Sequence, residues 1–192
     1  MQKNLQQNAF GQVISLNVAV SRAAGTAPLF FQREVPDGVA TFIRSEPPTS
    51  SVECTTVSLD QMLKERGELP PLVMKVDVEG WEKAVLDGAG HLLASPGAPV
   101  LLLEMEDAHF VRVGSSRREI RQVLSRLGYA AFQPKGRRWI MCHDLDEVRV
   151  RNFFWLRPSN PIHRERAREA GILELSAGES IVNSRQRVGA RG

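Results

Sequence analysis

The sequence has no apolar run approaching the 18 or more residues of a membrane-spanning helix, and its opening residues, MQKNLQQN, lack the apolar core of a secretory signal. Neither a membrane span nor an export signal is therefore expected, and the expected compartment is the cytoplasm. Cysteine is scarce: Cys54 and Cys142 are the only two in 192 residues. Neither lies in a Cys-x-x-Cys pair, and His143 beside Cys142 would point to the opposite face of a strand, so no disulfide framework and no zinc site is expected. Aromatics make up only 6% and the net charge is only +3. From Pro161 onward six arginines stand against four glutamates, which leaves the rest of the chain nearly neutral. Nucleic-acid binders concentrate Lys and Arg on one face among aromatics, so no nucleic-acid partner is expected.

What remains is ordinary globular composition, 42% hydrophobic and 24% charged. A chain of this length buries about 70% of the surface its unfolded form exposes, enough core to fold without staples. The run 13–20 (VISLNVAV) alternates at its start and predicts a strand. Three short β-prone pieces, 28–32, 39–43 and 52–57, read as an irregular insertion around the Pro-containing loop 45–51. Ser58 followed by Gln61 predicts a helix start, with the helix running to about Arg66.

Beyond Pro70 and Pro71 the pattern becomes regular. Residues 72–77 (LVMKVD) and 100–105 (VLLLEM) are apolar runs of strand length that end on acids, the pattern of strands buried on both faces. Between them Trp81, Ala84, Val85, Gly88 and Leu92 recur at helical spacing, predicting one helix over 81–93. A second Ser-x-x-Glu start, Ser116 with Glu119, opens a helix whose stripe is Ile120, Val123, Leu124 and Leu127 and which ends at Gly128. Residues 129–133, 139–143 and 153–157 read as closing strands, with a turn at 134–137. Strands alternating with amphipathic helices predict an α/β fold with a mainly parallel, doubly wound sheet. Such sheets bind small molecules outside the carboxyl ends of their strands, which singles out Asp77, Glu79, Glu104 and Asp107.

The segment 75–89 (KVDVEGWEKAVLDGA) resembles the FkbM-type S-adenosylmethionine-dependent methyltransferases, whose pattern is K-x-D-x-E-G-x-E-x-x-V-L-x-G-A. Supporting pieces stand in the family's order: Asn4 and Asn8 on an opening helix, Ala19-Val20-Ser21 at a strand end, Ser58-Leu-Asp60, and Glu104 closing a strand. The resemblance covers about residues 1–157. It implies a Rossmann-like class I methyltransferase fold with a reversed last hairpin and methyl transfer, usually to a hydroxyl of a small molecule or sugar. It also implies a glycine loop and a ribose-binding acid upstream of the point where this sequence starts; Gly88-Ala-Gly90 lies in a helical stripe and is no substitute. The expectation is thus a partial methyltransferase domain over 1–157, lacking its first one or two strands and impaired in donor binding, followed by an Arg-rich helix and tail over 158–192. The alternative is a non-catalytic remnant or interaction domain of the same fold.

The candidate catalytic residues are Asp77, Glu104 and His109, and the candidate cofactor-binding residues are Asp77 and Glu79. His109 could take a proton from an acceptor hydroxyl at neutral pH. Glu79 has a second reading as a helix-capping acid. No residue is assigned as a metal ligand, although Asp77, Glu79 and Glu104 converging on one edge would suit a divalent cation. Glu82 falls off the helical stripe and is expected on the surface. The strand over 72–77 is expected at a sheet edge, where it could pair with a second copy.

Overall fold

The computed structural model describes residues 2–31, 40–42, 50–136, 138–146, 150–170 and 174–176. After a short helix, α1 (Gln2–Gln7), the chain builds a four-stranded sheet from β1 (Ala19–Val20), β2 (Gly25–Phe31), β3 (Ala40–Thr41) and β4 (Ser50–Val57). Its order is β1-β4-β2-β3, with β4 antiparallel to β2 and parallel to β1. The pieces expected as an irregular insertion are therefore a sheet of their own. The strand expected over 13–20 contracts to its last two residues; Val13, Ile14, Leu16 and Val18 are exposed, so no core rewards extending it.

Helix α2 (Leu59–Arg66) starts where expected, with Ser58 Oγ accepting from the Gln61 amide at 3.2 Å, and stops at Gly67 in the left-handed region, φ 62°. Strand β5 (Val73–Val76) follows. The single helix expected over 81–93 is two, α3 (Glu82–Asp87) and α4 (Gly90–Ala94). Asp60 holds the break open: its carboxylate accepts from the amides of His91 and Leu92 at 2.9 and 2.8 Å, capping α4 from another helix. Then come β6 (Val100–Glu104), α5 (Asp107–Arg112), α6 (Arg117–Arg126), β7 (Ala130–Lys135), β8 (Arg138–Met141) and β9 (Asn152–Leu156). Helix α7 (Pro161–Glu169) and β10 (Glu174–Ser176) complete the described chain.

The larger sheet has the order β10-β8-β7-β9-β6-β5. It is mixed rather than mainly parallel: β5 with β6 and β8 with β10 are parallel, whereas β9 runs antiparallel to both β6 and β7, and β7 antiparallel to β8. Alternation along β9 divides the core. Phe153 and Trp155 join Leu101, Leu103 and the helix residues Val85, Leu86, Leu93, Ile120 and Leu124 on one face, while Leu156 meets Phe132 and Val100 on the other. Full burial of a side chain such as Phe153 contributes about 1.5–3 kcal/mol.

At the sheet's amino-end pole, α7 is tied down rather than solvated. His163 is 0% exposed; its Nδ1 accepts from the Arg157 amide and its Nε2 donates to the Ala98 carbonyl, both at 2.8 Å. Burial holds its pKa below the ordinary histidine value. The Arg157 guanidinium donates to the carbonyls of Leu127, Ser95 and Ala94, and Arg166 donates to Leu72. This leaves the opposite pole, the carboxyl ends of β5 and β6, for chemistry.

Candidate active site

Strands β5 and β6 run parallel with Val76 beside Leu103, so the next residues, Asp77 and Glu104, come side by side at the carboxyl end of the pair. Their carboxyl groups hydrogen-bond to one another. Lys75, two residues back and so on the same face of the strand, reaches Asp77 Oδ2 at 2.7 Å. The Lys75 contact, followed by the hydrogen bond from Glu104, holds Asp77 below the usual carboxylate range. Glu104 moves the other way: the hydrogen bond to Asp77, burial and the repulsion of the Asp77 charge push it up to about 7. The pair thus keeps one proton, on Glu104, until neutrality.

The connection from β5 to α3 is bent by two consecutive left-handed residues, Glu79 at φ 54° and Gly80 at φ 101°. A Cβ at position 80 would stand 2.7 Å from the His109 carbonyl oxygen, so glycine is what lets α5 close over the turn. That approach sets His109 Nε2 3.0 Å from Glu79 Oε2, with Arg112 3.9 Å from the same oxygen. Two ion pairs hold this stretch: Arg117 to Asp107 at 2.9 Å and Arg151 to Glu106 at 2.6 Å. Arg117 is itself buried and also donates to the Leu145 carbonyl. Asp107 therefore serves to anchor α5.

Of the five residues singled out in the sequence, Asp77, Glu79, Glu104 and His109 meet at this one edge, while Asp107 is taken up by Arg117. Glu79, Glu104 and His109 each bring a ligand atom within 4.8 Å of the other two, a set of two carboxylate oxygens and an imidazole nitrogen. The arrangement offers a proton-sharing carboxyl pair, an imidazole oriented by a carboxylate, and fixed negative charge facing solvent at a strand-end crevice.

Sequence reasoning missed Lys75 and Arg112 as partners of the acids, although Lys75 stands inside the quoted motif. It misplaced Glu82, which is 2% exposed rather than solvated. Helical periodicity counts Glu82 off the apolar stripe, but its carboxylate turns back to the amides of Val78 and Gly80 at 3.2 and 3.3 Å. The capping reading of Glu79 likewise fails, because Glu82 serves that turn and Glu79 faces His109.

An open cleft of about 720 Å³ lies elsewhere, between α2 and the α3–α4 junction, lined by residues including Arg22, Asp60, Lys64 and His91. Its three acids are each engaged, Asp60 in capping α4, Glu68 with Arg66 and Asp87 with Lys83, so the cleft offers less chemistry than the acid edge. Cys54 and Cys142 are both free thiols, and burial pushes Cys142 up to about 11, which leaves it protonated and unreactive. No helix among the described residues is long and apolar enough to cross a membrane.

No curated protein and no solved structure matches the chain. The sequence pattern of the methyltransferase FkbM domain matches residues 3–131, from α1 into β7 and through every residue of the acid edge. With two thirds of its length in that match, the chain belongs to the FkbM methyltransferase domain family.

Proposed function

We propose that the protein is an S-adenosylmethionine-dependent methyltransferase that methylates a hydroxyl of a small molecule or sugar in the cytoplasm, with the Asp77–Glu104 edge as its reaction centre. The observation that carries the proposal is the meeting of two carboxyls on adjacent parallel strand ends, one held ionised and the other titrating at about 7. The strand arrangement supports a Rossmann-like class I fold, since parallel β5 and β6 are followed by an antiparallel β9 inserted beside β7.

S-adenosylmethionine presents a sulfonium, an ammonium and ribose hydroxyls, and the carboxylates of this edge are groups that would accept from or pair with them, Asp77 with Lys75 already beside it and Glu79 with Arg112. Asp77 and Glu79 are the residues that would hold it. When bound, it supplies an electrophilic methyl group. The chain's own residues align the acceptor hydroxyl and take its proton, work that proximity and a positioned base perform. Glu104 accepts that proton once its own is lost above about pH 7, while Asp77 stays charged and orients the hydroxyl. His109, held by Glu79 at 3.0 Å, is a second base on the other side of the edge. Glu79, Glu104 and His109 are also the residues that would ligate a divalent cation.

The test is formation of S-adenosylhomocysteine by the purified chain at millimolar S-adenosylmethionine, over a panel of sugars and other hydroxyl compounds. Turnover with at least one acceptor is expected. No turnover with any acceptor, together with no donor binding by calorimetry, would overturn the reading in favour of a non-catalytic interaction domain.

A further inference from the structure

An acid in the first turn of a helix ordinarily serves that helix, through its own free amides or its dipole. Glu82 does neither. Both hydrogen bonds to its Oε1 come from residues before Trp81, which precedes the helix: Val78 N at 3.2 Å and Gly80 N at 3.3 Å. Its Oε2 is buried and has no hydrogen-bond partner among the described residues. A carboxyl placed so deep is costly unless its contacts are needed. Between the two amides stands one residue, Glu79, in a left-handed conformation that residues with a Cβ rarely adopt. From the other side the His109 carbonyl presses on Gly80. The turn is thus gripped between Glu82 and α5.

We propose that Glu82 is a positioning residue: by binding the amides on either side of Glu79 it fixes the turn that aims the Glu79 carboxylate at His109 Nε2. The effect on turnover rests on the acid edge being the reaction centre; the effect on His109 does not.

The experiment reads the His109 imidazole nitrogens by NMR in the ¹⁵N-histidine-labelled chain, with Glu79→Ala as the reference for a released imidazole. Glu82→Ala moves the His109 Nε2 signal to the position seen in Glu79→Ala. Glu82→Gln, whose amide oxygen can accept from the same two N–H groups, leaves it at the wild-type position. Glu82→Asp is one methylene short of spanning both amides and gives an intermediate shift, which keeps the test open where the alanine variant does not fold. In turnover, Glu82→Ala lowers kcat by roughly 10- to 100-fold, the scale of a misplaced catalytic group, and Glu82→Gln restores most of it. A folded Glu82→Ala or Glu82→Asp chain whose His109 signal stays at the wild-type position overturns the proposal. A His109 signal that follows Glu82 in a chain with no methyl transfer leaves the positioning role standing and removes the functional reading instead.

Discussion

The carbonyl oxygen of Ser21 passes so close to Gly88 that a Cβ there would stand 2.1 Å from it. Ser21 leaves β1 and Gly88 ends α3, so this backbone contact docks the small sheet onto the helix that follows the acid edge. Trp81 Nε1 donates to Ser21 Oγ at 3.3 Å and secures the same junction.

Gly88→Ala should therefore destabilise the protein by on the order of 3 kcal/mol, the upper range for overpacking, because backbone rather than a flexible side chain must move. Gly90→Ala is the control: nothing lies within 4 Å of its Cβ, and as the first residue of α4 it should gain up to about 1 kcal/mol in helix propensity. Urea melts of the two variants check both signs. Equal stability of Gly88→Ala and wild type would mean the junction is looser than described.

Asp77→Asn removes a charge with little change in size. Turnover should fall by roughly 10²-fold, as for loss of one acid-base or positioning group. The wild-type rate should rise with pH through an inflection near 7, where Glu104 loses its proton. Two of the causes that raise Glu104 are Asp77's hydrogen bond and charge, so the inflection in the variant should move towards the ordinary carboxyl value of 4.5. Stability follows by linkage: the folded state holds the Glu104 proton more tightly than the unfolded one, so wild type should lose stability as pH rises from about 4.5 to about 7, and the variant less. Unchanged pH profiles would remove the carboxyl pair from the mechanism.

A divalent cation offered to the acid edge should bind through Glu79, Glu104 and His109. With two carboxylates and an imidazole, half exposed, the expected affinity for Mn²⁺ is on the order of 10⁻⁴ M, the weak end of carboxylate cation sites. Calorimetry should show the binding lost in the double substitution Glu79→Gln, His109→Ala. No heat in wild type at millimolar Mn²⁺ would exclude a cation role for this edge.

Strand β5 pairs on one side only among the described residues, and its first residue Val73 and the preceding Leu72 are 59% and 65% exposed. An apolar edge of this kind templates pairing with another strand. A second copy of the chain is the expected partner, giving dimers by light scattering at high micromolar concentration. Val73→Lys should return the chain to monomer without lowering its melting temperature. A wild-type monomer throughout would show that this edge is too short to associate.

Much of this was legible in the sequence where one local cause sufficed. Ser58 and Ser116 marked their helix starts because a hydroxyl accepting from the amide three residues on is a local interaction. The acid edge was legible because strand ends in α/β sheets are where ligands bind, and both apolar runs end on acids. What escaped was set by contacts distant in sequence. The break between α3 and α4 depends on Asp60, about 30 residues away. The burial of Glu82 depends on a left-handed turn at Glu79 that no periodicity reports. The reversal of β9 leaves no local mark, since an antiparallel strand buried on both faces reads like a parallel one, and only the family resemblance, which implies a reversed last hairpin, pointed to it.

The order in which the chain leaves the ribosome gives that reversal a further meaning. Strand β6 ends at Glu104, but its second neighbour, β9, begins only at Asn152, and β7 and β8 are made before it. Until residue 156 is free, β6 and β7 present unpaired edges facing an empty slot between them, Leu101 and Leu103 lack the ring layer of Phe153 and Trp155 on one face, and Phe132 lacks Leu156 on the other. Sheets that close through such late, non-local pairing fold slowly and expose sticky intermediates. Nascent chains halted between β8 and β9 should therefore be the species that chaperones hold, and a strand made about 50 residues after β6 is the one that locks the acid edge in place.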